Sequence, residues 1–241
     1  MQNPNRKNIS FAAQACWGCF IAVAILFGNF GVLAQAQKRK TPDVPSASQV
    51  SEARQRLAEL GYRIKAEGEA QEASLRHALI AFQKIENRAR TGILTEEELL
   101  ALREANRPTS LESGYPHIEI DLGRQVLFLV EVGDVPLRIL PVSTGSGEWF
   151  TEGGRTRRAI TPQGRFSVER KISGWRKSPL GLLYYPNYIN QGVAIHGNPS
   201  VPPVPASHGC IRIPMFAAQE FSELATLGMV VIIYDSSLAE P

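Results

Sequence analysis

"HIEIDLGRQVLFLVEVGDVPLRILPVSTGSG", residues 117–147, alternates apolar and polar positions in a way that suits strands and not helices. Three segments, 118–122, 125–131 and 136–143, carry Ile, Val, Leu and Phe at period two. The intervening "LGR" and "GDV" read as turns. This predicts a meander of three strands opening a mainly β region. Downstream, "TPQGRFSVERKI", "GLLYYPNY" and "GVAIHG" supply further β segments. "PMFAAQEFSELATLG" fits a single helix, with Pro214 near its start and Gly228 just past its end. "MVVIIYD" reads as a last, fully apolar strand. The β region, 116–235, is about 120 residues long, enough for one core, and 236–241 is left as a tail.

Upstream the period changes. Val50, Ala53, Leu57 and Leu60 recur at helical spacing, with Gly61 as a stop, and Leu75, Leu79 and Phe82 repeat the spacing. In "TGILTEEELLALREA", Thr95 is a candidate N-cap with Glu98 as its capping-box partner. The expected class is therefore α+β and multi-domain: a small three-helix bundle over 49–106, then a mainly β domain with one helix near its end. Polar, proline-containing stretches at 37–48 and 107–115 read as linkers.

The first residues are a separate element. Arg6 and Lys7 precede the apolar run 11–34, and Ala34-Gln35-Ala36 has small residues where a signal peptidase needs them. This predicts a signal peptide, 1–36. The competing reading is an uncleaved membrane anchor, because the run is long enough to span a bilayer. Either way the remainder is exported, to the periplasm or cell envelope, and any membrane contact runs through this segment alone. Composition is that of a globular protein, with 44% hydrophobic and 20% charged residues. Beyond residue 36 there remain 24 basic and 23 acidic residues. That balance excludes the basic imbalance of a nucleic-acid binder.

Removal of 1–36 also takes Cys16 and Cys19, leaving Cys210 alone in an oxidising compartment. A leftover cysteine there is an intermolecular bridge or a reactive thiol. Cys210 lies in "IHGNPSVPPVPASHGCIR", residues 195–212, with two histidines. His208 precedes it by two residues and His196 ends the "GVAIH" strand. Pro199, Pro202, Pro203 and Pro205 stiffen the loop between. Gly209 lets the backbone of the Ser207–Cys210 turn pack closely, so that N–H groups can converge on a developing oxyanion. A thiol attacks only as thiolate and needs such neighbours. Two other readings stay open on the residues alone. Cys210, His196 and His208 form a possible zinc ligand set with one open position, and a lone cysteine is also a common inert core residue.

"HG…SHGCIR" resembles the signature of the L,D-transpeptidase catalytic domain, YkuD type, over roughly residues 116–235. The matching positions are His196-Gly197 and Ser207-His208-Gly209-Cys210-Ile211-Arg212, with "STG" at 143–145 and "TPQGRF" at 161–166 in support. The gap between His196 and Ser207 is shorter than in many members, and Arg212 stands where many carry asparagine. The helical region resembles a peptidoglycan-binding domain, without the Asp-Gly turns frequent in that family. The resemblance implies a β-sandwich or barrel and a thioester mechanism on peptidoglycan stem tetrapeptides, with release of D-alanine and no cofactor. It implies Cys210 as nucleophile, His196 as base with its second ring nitrogen held by a carbonyl near Gly197, and His208 as a supporting group. The amides of His208, Gly209 and Cys210 would form the oxyanion hole, in a turn shaped by Gly209 and Ser207. Gly197, Arg212, Trp175, Tyr184 and Tyr185 are the candidate substrate contacts, while Arg155, Arg157 and Arg158 lie in what reads as a long polar hairpin loop. The partners implied are peptidoglycan, both stem peptide and glycan, and a lysine-bearing envelope protein as a possible acceptor. Water as acceptor would give an L,D-carboxypeptidase, and a wall-binding protein without catalysis is the remaining alternative.

Overall fold

The computed structural model describes residues 44–65, 67–132 and 138–238. The predicted signal segment with Cys16 and Cys19, the "GDV" turn and the last three residues of the tail lie outside them.

Three helices come first: α1 (Ala47–Glu59), α2 (Gln71–Ile85) and α3 (Glu96–Glu104). Ser46 opens α1 with a reciprocal capping box, its side chain accepting from the Gln49 amide while Gln49 accepts from the Ser46 amide. Gly61, at φ 94°, closes it. There Gly61 N–H donates to Ala58 O and Tyr62 N–H to Leu57 O, satisfying the last carbonyls. Thr95 caps α3 by accepting from the Glu98 amide at 3.1 Å. The expected return bond is not made, because Glu98 instead accepts from Arg88 Nε at 3.1 Å.

Among the described residues, twelve strands and one further α-helix follow, with a 3-10 turn at Ser236–Leu238. They are β1 (His117–Asp121), β2 (Val126–Val130), β3 (Arg138–Pro141), β4 (Trp149–Glu152), β5 (Arg155–Arg158), β6 (Gly164–Ser167), β7 (Arg170–Lys171), β8 (Trp175–Ser178), β9 (Gly181–Asn190), β10 (Val193–Asn198), β11 (Ile211–Pro214), α4 (Met215–Leu224) and β12 (Val230–Tyr234). One sheet runs β3-β2-β1-β12-β6, the other β11-β10-β9-β7 with β8 also on β9. The pairs β1–β12 and β10–β11 are parallel. Neither sheet closes on itself, so the domain is a sandwich and not a barrel. Its core interleaves Ile118, Leu127, Leu129 and Val231 of the first sheet with Ile195, Ile211 and Ile213 of the second, and α4 adds Ala217, Ala218 and Phe221.

Several segments differ from the sequence reading. The stretch read as a long polar hairpin loop forms two paired strands, β4–β5, whose turn residues Gly153 and Gly154 both have positive φ. This conformation suits a tight hairpin and is open to glycine without strain. The α4 helix stops at Leu224, so Gly228 is not its cap. Gly228 instead sits at φ 83° in the entry to β12, donating to Val168 O at 2.8 Å.

The helices share a core with the first sheet. Val126, Phe128 and Val130 of β2 and Ile139 of β3 pack among Leu57, Leu79, Phe82 and Leu102. Strand β2 is buried along both faces, which explains its unbroken apolar run. Backbone bonds reinforce the join: Arg63 N–H donates to Ile139 O, and Ile139 N–H to Gly61 O. The stretch after α3 is fastened as well, with the Leu111 and Glu112 amides donating to the buried Glu119 carboxylate at 2.8 and 2.7 Å.

Candidate active site

Strands β10 and β11 set the site. In their parallel register Ile195 faces Ile211, and His196 faces Arg212. Because side chains alternate, Ile195, Ile211 and Ile213 enter the core, while Ala194, His196 and Arg212 take the opposite face, and Cys210 immediately precedes β11. Cys210 packs against a small cluster of Leu183, Tyr188 and Ala194. Its thiol donates to Gly192 O at 3.8 Å.

The His196 ring is 4% exposed, and Nδ1 lies 2.9 Å from Gly197 O. A carbonyl only accepts, so Nδ1 carries the proton and Nε2 keeps its lone pair. Burial, with Arg212 adding, pushes this imidazole down to about 4, while the Gly197 bond works the other way. Burial pushes the Cys210 thiol up, and the Ala194 amide and Arg212 partly offset it. Both shifts favour the uncharged pair at rest. The Arg212 guanidinium has no carboxylate partner among the described residues, and burial lowers its pKa. Its backbone exchanges hydrogen bonds with Ser143, at 3.1 and 3.0 Å.

The turn before Cys210 is held from inside. Ser207 Oγ donates to Cys210 O at 2.5 Å and accepts from Gly209 N at 3.0 Å. The Gly209 amide is thus engaged within the turn. Thr161 Oγ1 donates to Gly209 O at 2.8 Å and accepts from Gly145 N at 2.9 Å. Gly209 has φ 129°, and a Cβ there would lie 3.0 Å from Ile160 O. The "STG" and "TPQGRF" motifs supply these supports, Gly145 and Thr161. Their presence in the signature was legible, their task was not.

His208 is exposed and meets Phe150 of the β4–β5 hairpin edge-on at 4.8 Å. The candidate aromatics gather along β8 and β9, with Tyr184 and Tyr185 packed against the sandwich core. Trp175 and Tyr184 stand opposite each other in register with rings 4.8 Å apart, and Tyr185 is 4.7 Å from Tyr184. Tyr184 also faces Gly197, where a Cβ would lie 2.6 Å from that of Ala218 and 3.1 Å from the Tyr184 ring. Gly197 is therefore required by packing. Arg155, Arg157 and Arg158 all lie on exposed β5. Among the described residues no three His, Cys, Asp or Glu side chains come together to hold a metal ion.

A family model described as the L,D-transpeptidase catalytic domain (YkuD) matches residues 115–233. A crystal structure of the L,D-transpeptidase (residues 123–326) from Xylanimonas cellulosilytica is 36% identical with a TM-score of 0.72, covering 80% of this chain and 100% of that one. The chain belongs to the L,D-transpeptidase family. A second model, a putative peptidoglycan binding domain, matches residues 46–102 of this L,D-transpeptidase. An L,D-transpeptidase (Yku) structure from Stackebrandtia nassauensis is 20% identical at a TM-score of 0.46, covering 80% of this chain and 96% of that one. No curated protein matches.

Proposed function

We propose that this L,D-transpeptidase acts on peptidoglycan stem tetrapeptides through a thioester on Cys210. The observation that supports the reading is the parallel pairing of β10 with β11, which sets His196 opposite Arg212, two residues from Cys210, with the His196 proton held on Nδ1 by Gly197 O. Nε2 is then free to take the thiol proton as sulfur attacks the carbonyl that precedes D-alanine. That requires the thiol to leave its bond to Gly192 O and rotate toward the ring. The tetrahedral oxyanion is met by the His208 and Cys210 amides, since Gly209 N–H is committed to Ser207. His196 returns the proton to the leaving D-alanine amine. An incoming amine, from another stem or from a protein lysine, then attacks the thioester and regenerates the thiol.

Because both groups are held neutral at rest, charge appears only when substrate is in place, and Arg212 and the turn amides are the nearest features to compensate it. His208, braced by Phe150, shapes one side of the site, whereas Tyr184 and Tyr185 pack against the sandwich core. The helical part contributes wall affinity, and the chain works outside the cytoplasmic membrane. Incubating the protein with a disaccharide-tetrapeptide and weighing the products tests this. A cross-linked dimer with free D-alanine supports the transpeptidase reading, a tripeptide indicates water as acceptor, and unchanged substrate contradicts both.

A further inference from the structure

Lys84, on α2, is 1% exposed and faces no carboxylate in the ion pairs of the described residues. Its Nζ donates to two carbonyls of the β domain, Gln125 O and Val142 O, each at 2.9 Å. Burial, with Arg90 adding, pushes it down to about 7. Either protonation state has two N–H bonds to give, so the link does not depend on charge. Both acceptors lead toward the turn that carries Cys210. Gln125 has a positive φ of 61°, uncommon for a residue with a side chain, and its amide clasps Thr144. Its Nε2 donates to Thr144 Oγ1 at 2.7 Å, while its Oε1 accepts from Thr144 N at 3.0 Å. Thr144 O in turn accepts the Ala206 and Ser207 amides at 3.0 and 2.9 Å. A second strap is direct: Arg90, in the loop after α2, donates from Nη1 to Pro203 O at 3.2 Å.

We infer that Lys84 and Arg90 are positioning residues through which the helical part holds the catalytic turn, in addition to any role of that part in wall affinity. The inference rests on the transpeptidase reading only for its kinetic consequence. Lys84 fixes the 142–144 segment, which lies as a rail beside 206–212, and Arg90 anchors the loop leading in. Neither reaches the thiol, so the effect is on the geometry of the oxyanion amides and not on substrate affinity.

The test uses the full chain with Lys84→Met, which keeps the apolar stem and removes the donor, and Arg90→Ala, which leaves the core untouched. Amide hydrogen exchange is followed in peptides covering 203–212 and, as reference, β12. Exchange in 203–212 is expected to quicken about tenfold with β12 unchanged. The kcat for D-alanine release is expected to drop roughly 10–100-fold for Lys84→Met, and less for Arg90→Ala, with KM within about twofold of wild type. Unchanged exchange at 203–212 in a folded variant, or quickened exchange with unchanged kcat, would overturn the inference. So would a change confined to KM. If Lys84→Met does not fold, Arg90→Ala decides alone. Should wild type release no D-alanine, the functional reading fails by itself and the exchange result still decides whether the helical part braces the turn.

Discussion

Burial takes His196 down to about 4 and pushes the Cys210 thiol up, so a preformed thiolate–imidazolium pair is disfavoured. Alkylation of Cys210 by iodoacetamide should therefore quicken steadily as pH rises through 7 to 9, without an early plateau. A rate already maximal at pH 6 would show an ion pair at rest. Cys210→Ala removes the covalent route and should abolish turnover. His196→Ala should lower kcat/KM about 10²–10⁴-fold, the usual worth of a general base. His208→Ala should cost less, because this ring is exposed and rests on Phe150; the reverse order would reassign the base. At this scale the sequence was informative where chemistry repeats as a motif. The bond between His196 and the Gly197 carbonyl was legible. The loss of the Gly209 amide to Ser207 was not, because it depends on a hydroxyl rotamer that no spacing encodes.

At the scale of elements, the turn depends on a second segment threaded beneath it. A Cβ on Gly145 would lie 2.3 Å from Ala159 O and 2.8 Å from Thr161 N, both backbone atoms that cannot step aside. Gly145→Ala should thus displace the bond to Thr161 and, through it, Gly209 O. A loss of about 1–3 kcal/mol is expected by denaturant unfolding, with activity falling more than stability alone explains. Thr161→Val, which removes the hydroxyl bridging Gly145 N and Gly209 O, should cost about 1–3 kcal/mol by leaving a buried group unpaired; a neutral effect would show that the bridge does not brace the turn. The strands with strong period two were readable from sequence. β5 and β8, built largely of Arg, Lys and Trp, were not. β5 and β8 form because neighbours pair with them, and their burial is too slight to leave an apolar pattern.

For the molecule as a whole, the shared core makes the helices and the first sheet melt as one unit. Phe82 is fully buried between them, so Phe82→Ala should cost about 3–5 kcal/mol. It should lower a single transition seen alike by helix and sheet signals, whereas two separate transitions would mean independent domains. Stability should also fall in acid. His77 and His196 both sit near 4 in the fold against 6.5 for the free side chain. The unfolded chain therefore binds more protons between these values, and stability is full above 6.5 and lost as pH drops toward 4. Thermal melts at pH 7.5 and 5 check the sign. The sequence suggested two domains joined by a linker at 107–115. It did not reveal that Val126, Phe128 and Val130 turn outward to the helices, since a strand buried on both faces reads as merely apolar.

The most direct test of the account is intact mass spectrometry of the protein quenched during turnover of a tetrapeptide, followed by peptide mapping. The account predicts an adduct equal to the substrate less D-alanine, carried by Cys210, labile to hydroxylamine and absent from Cys210→Ala. Turnover with no such adduct under any quench, or an adduct that persists in Cys210→Ala, would contradict it.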